Sequence, residues 1–178
     1  CFFRLVLVLS AVFGLVYTTI GHFSGFSSEV SLVSFFFTSI VVILLLYFIK
    51  KPSAGNLIKG IYFTALLFSL DFLWIYHGGA QSPLLIAFAG IPVLLILIYS
   101  QRTTIILSVF VVLNIIFLYG IEWLVPEMIK PYASEHLKWI DHLMIFVFFF
   151  AGIVPGLIFF RNRILAEKAR ADYENQMK

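Results

Sequence analysis

The chain has 178 residues, 62% of them hydrophobic and 12% charged, with a formal charge of +3 and a mean hydropathy of +1.05. A soluble domain is about half apolar and about a quarter charged, so this much apolar surface needs lipid around it. No basic patch is interleaved with exposed aromatics, which argues against a nucleic-acid partner, and the single cysteine, Cys1, excludes an internal disulfide or a cysteine metal cluster.

Six apolar runs follow in order: 5–20, 32–49, 58–76, 84–99, 104–121 and 142–160. A crossing needs about 20 apolar residues at 1.5 Å rise each, so the helices are expected to extend into the flanking loops. Barrel strands are shorter and alternate polar with apolar, which these runs do not. In hydrocarbon the backbone must satisfy its own hydrogen bonds, and uninterrupted runs of this kind do so as helices. Pro52-Ser53-Ala54-Gly55-Asn56 separates run two from run three. Gly78-Gly79 with Ser82-Pro83 predicts a tight turn before run four, because Gly accepts positive φ and Pro starts a helix well. The segment 122–141 is the longest connection. Its Trp123, Pro126, Pro131, Tyr132 and Trp139 predict an interfacial segment with the tryptophans at headgroup level.

The basic residues sort by side. Lys130 and Lys138 alone occupy the connections after runs one, three and five. Arg4, Lys50, Lys51, Lys59, Arg102, Arg161, Arg163, Lys168, Arg170 and Lys178 lie at the N-terminal end, in the other connections or in the tail. Basic residues near span ends stay cytoplasmic. The expected architecture is an all-α integral membrane protein: a six-helix transmembrane bundle with both ends inside, over 1–160, and a cytoplasmic, coiled-coil-like helical extension over 161–178. The beginning at Cys1 rather than Met is read as trimming or processing.

Asp71 is the costliest residue, a carboxylate inside run three. A charge at a span centre costs about 2.5–3.5 kcal/mol on insertion scales. It is expected to face the bundle interior, protonated or paired, as a ligand or proton site or as a hydrogen bond between helices. Trp74 and His77 follow at three and six residues, near the same face. Glu122, Tyr132, Glu135, His136, Asp141 and His142 gather at the same membrane side. Acidic and imidazole groups at one depth can bind a cation, sense pH or hold a polar head group. None of their spacings matches a metal motif, and no zinc site is expected. Asn114 in run five reads as packing glue through a hydrogen bond between helices. The Phe35-Phe36-Phe37 and Phe148-Phe149-Phe150 runs read as lipid-facing or packing surface, with a hydrophobic ligand cavity as the alternative.

The tail beyond Phe160 has neither Pro nor Gly. Opposite charges sit four apart at Arg163/Glu167, Lys168/Asp172, Arg170/Glu174 and Glu174/Lys178, and each such pair adds a few tenths of a kcal/mol to a helix. Ala166, Ala169, Tyr173 and Met177 form a stripe at three-four spacing, as a coiled-coil seam would. Pro155, inside run six, is a candidate kink.

Three stretches carry a family likeness. They are Trp74 to Pro83 (W-I-Y-H-G-G-A-Q-S-P), the last outer connection with Pro126, Pro131-Tyr132 and Trp139-x-Asp141, and the exit Phe159-Phe160-Arg161-Asn162-Arg163 leading into Glu167-Lys168-Ala169. Through them nearly the whole chain resembles the six-helix membrane sensor region of bacterial sensor histidine kinases. Quorum-sensing kinases with six membrane helices end their sensor in a similar Phe-Phe-Arg-Asn stretch. In that family a similar Glu-Lys-rich helix runs into the dimerisation helix that bears the phospho-accepting histidine. The chain holds no phospho-acceptor motif and no ATP-binding glycine boxes. The resemblance therefore implies the sensor half alone, a homodimer in the inner membrane. ATP, Mg and a response regulator would belong to an output half beyond Lys178.

The expected function is a sensor and signal-transmission module. Asp71, Trp74, His77, Glu122, Tyr132 and Asp141 would serve the input. Pro155, Ala166, Ala169, Tyr173 and Met177 would serve the output through run six and the tail. A small transporter or channel needs a continuous polar path, for which Asp71 and Asn114 offer little below the outer third. An intramembrane enzyme would need a nucleophile and base paired at depth. A nucleotide cyclase in place of the kinase is the remaining alternative, since such tails also precede cyclase domains.

Overall fold

The computed structural model describes residues 2–132 and 134–176; in the last helix, side chains are described through Val147 and at scattered positions beyond it. The described residues form six α-helices and three short 3-10 turns, without strands. The helices are α1 (Phe2–Ser24), α2 (Ser28–Lys50), α3 (Gly55–Tyr76), α4 (Leu84–Ile98), α5 (Gln101–Leu124) and α6 (Glu135–Gln176). Four of the spans, Phe3–Ser24, Ser28–Lys50, Pro52–Tyr76 and Gln101–Leu124, are long and apolar enough to cross a membrane. With lipid as the solvent this is a membrane protein: Phe35, Phe36, Ile43 and Leu46 on α2, and Ile105, Phe110, Leu113 and Phe117 on α5, all point outward.

The ends of the helices follow the expected turn chemistry. Ser27 Oγ accepts from Val30 N–H and caps α2. Pro52 to Ala54 makes a 3-10 turn between α2 and α3. Gly78 and Gly79 both take positive φ, +76° and +58°, and the next turn leads through Pro83 into α4. Ser134 Oγ accepts from Leu137 N–H at the start of α6. This helix begins at Glu135, seven residues before the apolar run at 142, so the last connection is shorter than the segment 122–141.

α4 is the central post. It has 15 residues, about 22 Å at 1.5 Å per residue, and contacts α1, α3, α5 and α6. Its Leu84, Phe88, Ile91 and Leu95 are almost wholly covered and join Leu67, Leu70 and Trp74 of α3 with Met144 and Ile145 of α6 in the larger core. A smaller core joins α1, α2 and α3 through Leu7, Val41, Ile58 and Tyr62. Gly14 lets α1 approach α2 closely: a methyl there would collide with Thr38. Small residues serve membrane helix packing in this way.

Arg4, Lys50, Lys51, Lys59 and Arg102 collect at one end of the helices, and Lys130 and Lys138 lie at the other. Lys59 Nζ donates to the Ile98 carbonyl at 2.9 Å and lies over the Tyr99 ring, neutralising the C-terminal dipole of α4. Arg4 lies over Phe48 at the same end. The opposite end carries the α1–α2 turn, the glycine turn and the α5–α6 connection.

α6 is a single helix of 42 residues. At 1.5 Å per residue it is about 63 Å long, roughly twice a 30 Å hydrocarbon core. Ala166, Ala169 and Tyr173 are exposed on it. The Pro155 side chain and Met177 lie outside the described residues, as do one or both members of each charge pair in the tail.

Candidate functional site

Three polar nodes tie the helices together near the end opposite Lys50, Lys51 and Lys59. The deepest in chain terms joins α1, α3 and α6. Asp141, six residues into α6, is fully buried and accepts from Tyr17 Oη on Oδ1 at 2.7 Å. Its other oxygen, Oδ2, lies 3.0 Å from His77 Nδ1 and also accepts from the Tyr132 hydroxyl. An ionised carboxylate only accepts, and three donors converge on this one. The Nδ1–H tautomer of His77 fits this arrangement, with Tyr17 Oη a further 3.3 Å neighbour of the same nitrogen. A buried carboxyl group is tolerated where its oxygens are hydrogen-bonded, and both are engaged here. Phe26 and Tyr132 close over the imidazole, each 5.2 Å between ring centroids.

Tyr132 reaches this node because the last connection folds back on α3. Lys130 N–H donates to the Ile75 carbonyl at 2.7 Å, and Gly78 N–H donates to the Lys130 carbonyl at 3.0 Å. The Lys130 ammonium stands over the Tyr76 ring at 4.3 Å and 3.8 Å from Glu29 of α2. Burial, and then the adjoining Asp141 carboxylate, pushes the Tyr132 phenol well above its ordinary range, so it remains a donor.

The second node is built on Glu122 near the end of α5. Its Oε2 accepts from Trp74 Nε1 at 3.1 Å and from Ala80 N–H at 2.9 Å. The carboxylate lies against Gly79, where a side chain would collide with it. Trp74 is fully buried between Phe88 and Tyr119. The third node is Asp71 on α3, whose Oδ1 accepts from Asn114 Nδ2 of α5 at 2.6 Å.

The six input candidates therefore divide. His77, Asp141 and Tyr132 meet in one cluster; Trp74 and Glu122 meet in another; Asp71 stands apart with Asn114. Glu135 and His136 are exposed, and His142 donates from Nδ1 to the Lys138 carbonyl of its own helix. Sequence reasoning missed Tyr17. The signal was a hydroxyl inside an apolar run, but Tyr47 and Tyr119 carry the same signal and are about two-fifths exposed, at 41% and 42%. Among the described residues no group of three or more His, Cys, Asp or Glu is placed to hold a metal ion.

Beneath the Asp141 node lies an apolar cavity of about 120 Å³ between α1, α2, α3, α4 and α6. Tyr17 and Ile145 stand in its wall, with Phe37, Leu70 and Ile91. No protein-family model, curated protein or solved structure matches the chain.

Proposed function

We propose that this chain is the membrane-embedded sensor and signal-transmission module of a bacterial two-component sensor histidine kinase. It sits in the inner membrane with six crossings and both ends cytoplasmic. The observation that carries the reading is the placement of Asp141. It is locked to α1, α3 and the outer connection, yet it belongs to a helix that runs unbroken to Gln176. A stimulus that exchanges partners at Asp141 moves the outer end of that rod, and a continuous helix carries the movement beyond the bilayer. Such an input works by its differential affinity for two helix arrangements.

The exposed stripe Ala166, Ala169 and Tyr173 supports a tail that pairs with a second copy. α4 and α6 supply the fifth and sixth crossings. The lysine-bearing end faces the cytoplasm because Arg4, Lys50, Lys51, Lys59 and Arg102 are there. ATP, Mg and the response regulator belong to the output half. A coding sequence continuing past Lys178 into a His-Glu-x-x-Thr-Pro stretch makes that half a kinase; a cyclase domain there would replace it.

The test of transmission is a distance measurement. Spin labels at Tyr173→Cys, in a Cys1→Ser background in lipid nanodiscs, report the separation of two tails. Asp141→Asn is expected to shift that distance distribution. Identical distributions, or a chain that is monomeric in the bilayer, defeat the reading. Solute flux through proteoliposomes holding this chain alone would favour a transporter.

A further inference from the structure

We infer that the cavity below the Asp141 node is a binding site for a small, uncharged alkyl or aromatic group, and that this site is the input of the proposed sensor. The inference rests on the sensor reading for its role but not for its chemistry. Five helices contribute to the wall, and the surface is almost wholly carbon. Three of the four hydroxyls in its wall are already engaged, Tyr62 with Ser10 at 2.8 Å, Ser69 with the Ala65 carbonyl at 2.8 Å and Tyr17 with Asp141; Ser34 is the fourth. No buried side-chain nitrogen or oxygen among the described residues lacks a partner. A charged ligand would find nothing to pair with, and the Ser34 hydroxyl alone offers fewer than the two to four polar partners that hold a buried water. Apolar cavities of this kind stay dry, and one of about 150 Å³ lined by Leu, Ile and Phe takes benzene. At about 120 Å³ the present cavity suits a single ring or a short alkyl tail.

The position of the cavity gives it access to α6. Ile145 is one helical turn beyond Asp141, and Tyr17 turns its ring to the cavity wall while its hydroxyl holds Asp141. A ligand filling the space therefore presses on α6 directly and on the partner of its buried carboxylate. The alkyl group can arrive as a free amphiphile or as the end of a bilayer acyl chain.

The test uses the full chain in nanodiscs with two photoreactive probes: a six-carbon alcohol bearing an alkyl diazirine, and a phospholipid with the diazirine near its acyl terminus. Labelled residues are mapped by mass spectrometry, with and without excess 1-hexanol. Labelling at Leu70, Ile91 or Phe37 that falls at least fivefold with 1-hexanol supports the site, the productive probe identifying the source. The cavity-filling variant Ala87→Phe should remove the same labels while leaving those on Phe36, Ile43 and Phe110. Labelling confined to these outward residues in the unmodified chain, and indifferent to 1-hexanol, overturns the inference whether or not the variant folds. That failure would leave transmission along α6 standing, since the tail-distance measurement uses no ligand.

Discussion

Tyr17 of α1 and Asp141 of α6 stand 124 positions apart in the chain and share a 2.7 Å hydrogen bond in the protein interior. The bond ties the first helix to the last and places a buried acceptor at the head of the longest rod in the molecule. A hydrogen bond to a charged group contributes about 1.5–3 kcal/mol, so Tyr17→Phe should lose that much stability. Asp141→Ala removes the acceptor of three donors and should cost more, about 3–5 kcal/mol, as when one partner of a buried pair is deleted. Reversible unfolding in mixed micelles measures both, and the double variant should lose less than the sum. Strict additivity would mean that the two side chains do not interact.

The Tyr132 phenol gives the same node a pH signature. Its proton is held more tightly in the folded state than in the unfolded chain, where the ordinary value is 10.0. The sign follows from linkage. Above the ordinary phenol range the folded state binds more protons, so the contribution of Tyr132 is complete below that range and is lost as pH rises beyond it. Midpoints of thermal unfolding between pH 8 and 11 should fall more steeply for the unmodified protein than for Tyr132→Phe. Parallel slopes would remove Tyr132 from the buried node.

Glu122 caps the glycine turn, and the turn in return is shaped to admit it. Gly79 has φ +58°, a conformation that disfavours a side chain, and its missing Cβ leaves room for the carboxylate. Gly79→Ala therefore meets both strain and a collision, and should destabilise by about 1–3 kcal/mol. Glu122→Gln keeps an acceptor for Trp74 and Ala80 and should be milder than Glu122→Ala. Trp74 emission is the local readout: it should shift in Glu122→Ala and hold its position in Glu122→Gln.

The turns were legible in the sequence because Gly and Pro act locally. Gly78-Gly79 and Pro52 mark breaks that the structure contains, and the periodless apolar runs mark helices surrounded by lipid and neighbours. The pairings were not legible. Asp71 and Asn114 each read as a buried polar group, but their meeting depends on how α3 and α5 rotate against one another, which an almost uniformly apolar surface does not specify. Trp74 and Glu122 were both candidates, yet their bond arises from a turn whose glycines have no side chain to reveal the cradle. Tyr17 failed for a related reason: a phenol in an apolar helix fits equally well at a headgroup interface or in a core, and only the packing of α6 beside α1 distinguishes them.

The orientation of the bundle is open to direct chemical labelling. With Cys1→Ser as background, single cysteines at Lys51 and Ser134 mark opposite ends of the helices. Both positions are exposed. A membrane-impermeant maleimide added to right-side-out vesicles should modify Ser134→Cys and spare Lys51→Cys until the membrane is opened. The charge asymmetry is the reason, since Lys and Arg near span ends resist export. The reverse pattern would invert the topology, and with it the direction of the transmission proposed for α6.

The tail offers the most demanding test, because a seam and a merely polar helix differ in angular dependence. Ala166 and Tyr173 are seven residues apart and Ala169 lies between them, so all three fall on one side of a supercoiled helix. Ile164 lies two residues before Ala166. Successive residues turn by about 100°, which carries Ile164 to the far side of that stripe. Single cysteines at 166, 169 and 173 should form disulfide-linked dimers rapidly under mild oxidation in native membranes, and Ile164→Cys should do so slowly. Inserting one residue after Arg161 rotates everything beyond it by the same angle relative to the bundle. In the proposed sensor this insertion preserves the seam but resets the coupling to Asp141, so cross-linking should persist while the tail-distance response to Asp141→Asn changes. Equal cross-linking at all four positions would describe a loose strand colliding at random, and a loose strand carries no conformational state out of the membrane.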